Sequence, residues 1–424
     1  MASTVTFAGM YNEWRLRIPR QASVSTGTTV NELSVLVIDG ESTFARAVVL
    51  CLSAVPAVRV HVLSRSNRAP LRFSRRLASF HTWDGIHSPS ASQECARIAQ
   101  RVGADLCLAA DDAAIKFLAC EREHLPVGCA PVPLLASLDV VSDKWEFACF
   151  LDAHKFPQPA TTLCSTGPAA EERIRALRFP ALIKPRIGGN GIGIRQFNDP
   201  NTLLSYLFDY PDAWDRNILQ TVIAGRDIDC SVLCEHGRVL AYTIQRGFTR
   251  ADSFQPPGGI EFVDDPRVLS IVSNLMAVLE WNGIAHVDLR DEEGSSQVKV
   301  LEVNPRFWGS VLGSLHAGVN FPYLACLAGM DQPFLAPKFH SCRYVAGATA
   351  VRQWMRGQFG AKRVGFRFSD TVFRYVMTDP WPTLAELFLK ATAHLTAAVQ
   401  RIAIGPARRN TKEAGRRSSA REET

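Results

Sequence analysis

The apolar run Leu33-Ser-Val-Leu-Val-Ile38 is rich in β-branched residues and stops at Asp39-Gly40, the pattern of a buried parallel strand closed by a turn. Helical spacing over residues 43–52, an apolar run at 58–63 and another at 104–109 before Asp111-Asp112 continue the alternation. Strand, helix and strand in this order predict a doubly wound α/β unit over about residues 33–135. The pattern changes near Val140. Asp143-Lys144-Trp145 opens an amphipathic stretch that Phe156-Pro-Gln-Pro159 breaks, and Phe179-Pro-Ala-Leu-Ile-Lys-Pro185 reads as a strand closed by proline. A glycine-rich loop follows at 188–193, then helical spacing around 203–208 and strands at 217–222, 228–234 and 238–245, the last two joined across Glu235-His-Gly237. Residues 266–280 read as a helix, and 285–290 with 297–303 as a hairpin across Asp291-Glu-Glu-Gly294. Residues 384–404 predict an amphipathic helix, expected to dock on the body rather than to lie on a membrane.

Composition narrows the class. A chain of 424 residues, 47% hydrophobic and 21% charged, has room for two or three packed units and is not a disordered or fibrous chain. Of the net charge of +6, a basic tail over 406–424 (Arg408, Arg409, Lys412, Arg416, Arg417 and Arg421 against three Glu) supplies half. The body therefore lacks the concentrated excess of a nucleic-acid binder, and the tail is expected to be a solvated, disordered end. Residues 1–32 are polar and rich in Ser and Thr, expected to be a flexible leader; Glu13, Arg15 and Arg17 interrupt them, unlike a secretory signal. Eleven cysteines without a C-x-x-C pair, and no apolar run of the ~20 residues a bilayer requires, predict a reduced, cytoplasmic protein with no membrane span. After the first strand, Gly40-Glu-Ser-Thr-Phe-Ala45 offers one glycine where a dinucleotide fingerprint needs three, which argues against a nicotinamide or flavin enzyme.

Three clusters carry chemistry. In Lys184-Pro-Arg-Ile-Gly-Gly-Asn-Gly-Ile-Gly193, the residues Gly188, Gly189, Gly191 and Gly193 let successive backbone N–H groups surround a phosphate beside the charge of Lys184. A flexible hairpin turn with a surface lysine has the same sequence. Asp288 and the run Glu302-Val-Asn-Pro-Arg306 sit on adjacent expected strands, where Asp288, Glu302 and Asn304 share a face. Two carboxylates and an amide oxygen form a hard ligand set suited to Mg²⁺ holding nucleotide phosphates, and Arg306 adds a fork for anionic oxygens. The alternative is an ion-paired surface hairpin, against which the apolar Val300, Leu301 and Val303 speak. Gln220-Thr-Val-Ile-Ala-Gly-Arg-Asp227 places an amide that can pair with an adenine edge near a carboxylate that can accept from ribose hydroxyls.

Taken in order, these segments resemble the ATP-grasp superfamily, in particular its carbamoyl-phosphate-synthase-like carboxylate–amine (or carboxylate–thiol) ligases, from about residue 140 to 318. The resemblance implies an α/β and α+β multidomain chain: an N-terminal doubly wound pre-ATP-grasp domain (33–135), a two-lobed ATP-grasp domain (136–330) with a lid over about 157–222, and a C-terminal extension (331–405). It implies that Lys144 and Lys184 contact the α- and β-phosphates and that the glycine loop closes over the β- and γ-phosphates. Gln220 with the backbone of Val222 and Ile223 would meet adenine, and Asp227 the ribose. Asp288, Glu302 and Asn304 would bind Mg²⁺, with Mn²⁺ as the substitute ion, and Arg306 and Lys184 would be the catalytic cations. Gln220, where relatives carry an acid, bears on nucleotide preference; Asn190 stands where they often carry a small hydroxyl residue. The implied reaction joins a small-molecule carboxylate to an amine, such as an amino acid, through an acyl phosphate, releasing ADP and phosphate. Bicarbonate activation, as in a carboxylase or carbamoyl-phosphate synthase, and a non-catalytic ATP-binding module are the alternatives. For the acceptor, Arg246, Arg290, His286, His316, Asn320 and residues 307–310 are candidates. The number of subunits stays open, a homodimer included.

Overall fold

The structure, a computed structural model, describes residues 32–167, 169–189, 191–248, 257–359 and 366–404. The expected leader up to residue 31, Asn190 and the expected basic tail lie outside them.

Strands β1 (Leu33–Val37), β2 (Val58–Ser64), β3 (Leu77–Thr82), β4 (Leu106–Leu108) and β5 (Gly128–Cys129) form a parallel sheet in the order β3-β2-β1-β4-β5. Every residue of β1 is buried, as a central parallel strand covered on both faces requires, which is why it reads as an unbroken apolar run. The order reverses between β1 and β4, and the loops after these two strands meet there: the Asp39 carboxylate accepts from the backbone N–H groups of Ala110 at 3.0 Å and Asp111 at 2.8 Å. Such a switch point is the usual crevice of a doubly wound sheet. Strands β3 and β5 escape the sequence pattern because β3 is a half-exposed edge without clean alternation and β5 has two residues.

A second sheet is antiparallel: β6 (Thr161–Leu163), β7 (Ala181–Pro185), β8 (Arg195–Phe197) and β9 (Asn217–Thr221), in the order β6-β9-β7-β8. It has a small apolar interior of its own, built from Cys164, Ile174, Ile183, Leu203, Leu207 and Leu219. The third sheet holds β10 (Gly225–Glu235), β11 (Arg238–Gly247), β12 (Gly259–Phe262), β13 (Gly283–Glu292), β14 (Val298–Asn304) and β15 (Arg343–Val345). Its order is β14-β13-β10-β11-β12-β15, antiparallel throughout. Gly225, at φ 145°, lets β10 start against β13: a Cβ there would lie 2.0 Å from the Asp291 carbonyl oxygen.

The first and third sheets share one hydrophobic interior, running from Leu33 to Tyr344. The helices Val311–His316 and Phe321–Gly329 seal it by packing on the helix Ala45–Leu52, and the Asn320 amide donates to the Cys51 carbonyl at 2.8 Å. The C-terminal helix runs over Trp381–Ile404. The helix packs on residues 70–73 with one side, where Pro382 is buried and Thr383, Ala385, Glu386 and Leu389 are half-buried, while Leu384, Leu387, Phe388 and Leu395 stand in solvent.

Candidate functional site

The register of the third sheet assembles the acids. Asp229 of β10 pairs with Gln245 of β11 on one side and Asp288 of β13 on the other, and Asp288 pairs with Glu302 of β14. Two residues along, on the same face, Ser231 pairs with Thr243 and His286, and His286 with Asn304. Two polar rungs therefore cross four strands on one face. Gln245 donates to Asp229 at 3.1 Å, and His286 Nε2 lies 3.3 Å from Asp288 Oδ1 and 4.0 Å from Asp229 Oδ2. Ser231 Oγ and His286 Nδ1 are 2.9 Å apart, and Trp308 stacks on the imidazole at 5.4 Å and 12°. Asn304 donates from Nδ2 to Asp288 at 3.2 Å and gives its oxygen to Arg306 at 3.1 Å. A cation at Asp288 would take that oxygen only after the amide turns over.

Burial sets the electrostatics. It pushes Asp229 up to about 7, and it raises Asp288 well above the carboxylate range, with the charges of Asp229 and Glu302 adding to the effect. Burial and the Arg306 charge hold His286 down at about 3, so the imidazole is neutral. The neutral imidazole therefore brings no positive charge to Asp229 and Asp288 beside it. Ligand atoms of Asp229, His286 and Asp288 lie within 4.8 Å of one another, a spacing that one divalent ion can span. The donor set thus fits a divalent cation.

Two lysines face these rungs from the other sheet and from a helix. Lys184, at the end of β7, donates to Gln220 Oε1 at 2.7 Å, and burial lowers it to about 8 despite the Glu302 charge. Lys144 begins the helix Lys144–Ala153, which Asp143 caps; its ammonium lies 3.7 Å from Glu302 and donates to the Gly188 carbonyl at 2.5 Å. Asp143 also pairs with Arg186 at 2.7 Å, which ties the helix to the start of the glycine loop. Gly188, Gly191 and Gly193 have φ of 123°, 71° and 80°; Gly189 does not share that conformation, and Ile187 and Ile192 point into solvent. Lys144, Phe147, Leu151, Lys184, Gln220 and Val300 line a pocket between the two sheets.

Arg306 joins the site to the first sheet. Its guanidinium donates to Asp112 at 3.2 Å and to Asn304, and it lies 4.5 Å over the Phe44 ring. Phe44 and Asp112 follow β1 and β4, so the switch point opens on the same cleft. Asp227 pairs with Arg290, Val222 N–H donates to the Pro180 carbonyl at 2.9 Å, and the Ile223 carbonyl accepts from Arg290 at 3.0 Å. The structure thus brings together Lys144, Lys184, Gly188, Gln220, Asp288, Glu302, Asn304 and Arg306. Other candidates have structural tasks: Arg246 pairs with Glu261 at 2.7 Å, Asn320 holds Cys51, His316 lies 3.8 Å from Asp370, and Phe307 is core. Asp229, Gln245, Phe44 and Asp112 escaped the sequence reading. The alternation Asp227-Ile-Asp229-Cys-Ser231 does carry a signal, since it puts three polar residues on one face of an otherwise buried strand.

The family model for the ATP-grasp domain matches residues 141–310, the stretch that holds both lysines, the glycine loop and all three acids. This chain carries an ATP-grasp domain. Over the region, the chain is 23% identical over 184 residues to the carbamoyl phosphate synthase large chain of Archaeoglobus fulgidus, covering 40% of this chain and 16% of that protein. It is 24% identical over 189 residues to the D-alanine–D-alanine ligase of Solibacter usitatus, covering 38% of this chain and 54% of the ligase. The match thus spans about half of one relative and a small part of the other. Among solved structures, the biotin carboxylase domain dimer of Hydrogenobacter thermophilus 2-oxoglutarate carboxylase, in complex with MgADP, ADP and bicarbonate, superposes with a TM-score of 0.59 at 13% identity, covering 74% of this chain and 73% of that one. The L-amino acid ligase of Bacillus licheniformis gives 0.53 at 16% identity, covering 73% and 75%. These superpositions cover about three quarters of the chain, more than the segment that the family model matches.

Proposed function

We propose that the protein is an ATP-dependent ligase that activates a small carboxylate as an acyl phosphate and passes the acyl group to an amine. One observation carries this reading: a rung of three carboxylates, Asp229, Asp288 and Glu302, faces Lys144, Lys184 and the glycine loop across a cleft. Adenine occupies the pocket walled by Leu151 and Val300, with its edge toward Gln220, the Val222 carbonyl and the Ile223 N–H. Asp227, oriented by Arg290, takes the ribose hydroxyls. Lys144 and Lys184 hold the α- and β-phosphates, and Gly188, Gly189, Gly191 and Gly193 fold over the β- and γ-phosphates as residues 157–222 close as a lid.

Asp288, Glu302 and Asn304 would hold Mg²⁺ or Mn²⁺, which neutralises phosphate charge during in-line transfer. The substrate carboxylate lies against Arg306, whose fork, fixed between Asp112 and Asn304, stabilises the charge on the acyl phosphate and on the tetrahedral species formed by the amine. Lid closure excludes water, which would hydrolyse the acyl phosphate. No helix among the described residues is long and apolar enough to cross a membrane, and all eleven cysteines are unpaired, which supports the cytoplasm as the site of action. Small-molecule carboxylates and amines are the proposed partners, without nucleic acid.

The likeness to a biotin carboxylase domain and to a carbamoyl phosphate synthase favours bicarbonate as the second reading. Phosphate release from ATP, measured against panels of amino acids and carboxylates and against bicarbonate, decides between them. Release that requires a carboxylate and an amine together supports the ligase. Release dependent on bicarbonate alone overturns it in favour of the second reading. ATP binding without turnover on any panel member leaves a binding module.

A further inference from the structure

The C-terminal helix and the segment it meets have a distinct composition. On the helix Trp381–Ile404, Trp381, Leu384, Phe388 and Leu395 recur at helical spacing and form one stripe, with Leu387 beside it. All five are exposed, from 42% for Trp381 to 68% for Phe388. The stripe is longer than the scattered apolar residues common on protein surfaces. It starts where the helix meets the segment 65–76, which contains Arg65, Arg68, Arg72, Arg75 and Arg76, no acidic residue, and the exposed Phe73. The junction is built. Arg46 donates to Thr383, Asp379 accepts from Ser74 and from the Arg75 backbone, and Arg76 donates to the Thr378 carbonyl at 3.1 Å. The Arg75 guanidinium lies 4.6 Å over the Trp381 ring. All five arginines are exposed, and Arg72 and Arg76 donate to carbonyl oxygens rather than to carboxylates.

We propose that this face docks on an anionic phospholipid bilayer, with the stripe of Trp381–Ile404 lying along the interface and the arginines of 65–76 over the lipid phosphates. The two features select the occupant together. An apolar stripe needs an apolar layer to enter, and five exposed arginines, against Glu41 and Asp379 held on the backbone N–H groups of Arg65 and Arg75, leave an excess of positive charge that needs anions beside that layer. A second copy of the same face would bring five more cations. A polynucleotide would supply phosphates but nothing for the leucines to enter. The sequence after the helix has the same sign, six Lys or Arg against three Glu over 406–424. The helix does not meet the requirement for crossing a membrane, so it lies on the surface.

The test is co-sedimentation of the full chain with phosphatidylcholine vesicles, with and without phosphatidylserine, at low and high salt. Binding is expected only with phosphatidylserine and should weaken as salt rises. Replacing Leu384, Phe388 and Leu395 together by Gln changes residues already in water, so the melting temperature should stay and binding should fall about tenfold or more. Replacing Arg65, Arg68 and Arg72 together by Gln should weaken binding about 100-fold, at about fivefold per arginine near the surface. The proposal is overturned by equal binding to both vesicle types, by wild-type affinity in both triple variants, or by no vesicle binding at all. It is also overturned if the wild type self-associates without vesicles and the leucine variant does not, or if RNA homopolymer displaces the vesicles.

Discussion

Replacing Lys184 by Met separates the fold from nucleotide binding, because the lysine acts on them in opposite directions. In the free protein, burial lowers this ammonium to about 8 from an ordinary 10.5, a cost to the fold of about 3 kcal/mol at 1.36 kcal/mol per pH unit. The unfolded chain therefore binds the extra proton between about pH 8 and 10.5, and wild-type stability should rise with pH across that window. Met fills a similar volume without a charge to desolvate, so the variant should melt at or above the wild-type temperature and lose that rise. Nucleotide binding should move the other way. A unit charge about 4 Å from a phosphate oxygen is worth about 4 kcal/mol at an effective dielectric near 20. The loss is partly offset because Lys144 remains, so the ATP dissociation constant should rise about 100- to 1000-fold. Because the free lysine titrates near 8 and phosphate needs it charged, wild-type affinity should be flat below that pH and fall about tenfold per pH unit above it. The Met variant should show no such break. Isothermal titration with ATP and Mg²⁺ from pH 7 to 10, alongside thermal melts, reads both arms. A Met variant that binds ATP normally, or a wild type whose affinity ignores pH, refutes the reasoning.

Glu302→Ala should remove turnover in the phosphate-release assay while the chain keeps its circular dichroism spectrum, since the side chain is partly exposed and pairs with Lys144 rather than with the core. Arg306→Lys replaces a fork that spans Asp112 and Asn304 by a single point charge; kcat should fall about 100- to 1000-fold, with the KM for ATP little changed. Gly225→Ala puts a methyl group 2.0 Å from the Asp291 carbonyl at a φ of 145°, and urea titration should show a loss of about 3 kcal/mol or more.

The sequence showed the site's strands more plainly than its neighbours. The run 33–38 is buried throughout, and the apolar positions of the hairpin at 285–303 other than Leu301 are buried on its two strands, so period and apolar content agree. β12 and β15 were not read because each is a short strand at or next to the edge of the sheet, stabilised by partners far along the chain rather than by its own pattern. Pairing register was also hidden. Asp288 opposite Glu302 follows from a hairpin, but Asp229 joins them only because β10 runs beside β13 across a separation that no local spacing encodes. The contribution of the first unit, Phe44 and Asp112 beneath Arg306, depends on how two sheets pack, and single residues on loops after strands carry no mark of it.

The separate apolar interior of residues 161–221 has a consequence for how such a chain can be altered. That lobe could be exchanged for the corresponding lobe of a relative by cutting at its two strand-flanked ends, leaving the remainder intact. Residues 33–135 could not be transplanted in this way, because Leu36, Val48 and Leu106 belong to the same oily interior as Val287 and Phe321, and separation would leave a bare apolar face on each half.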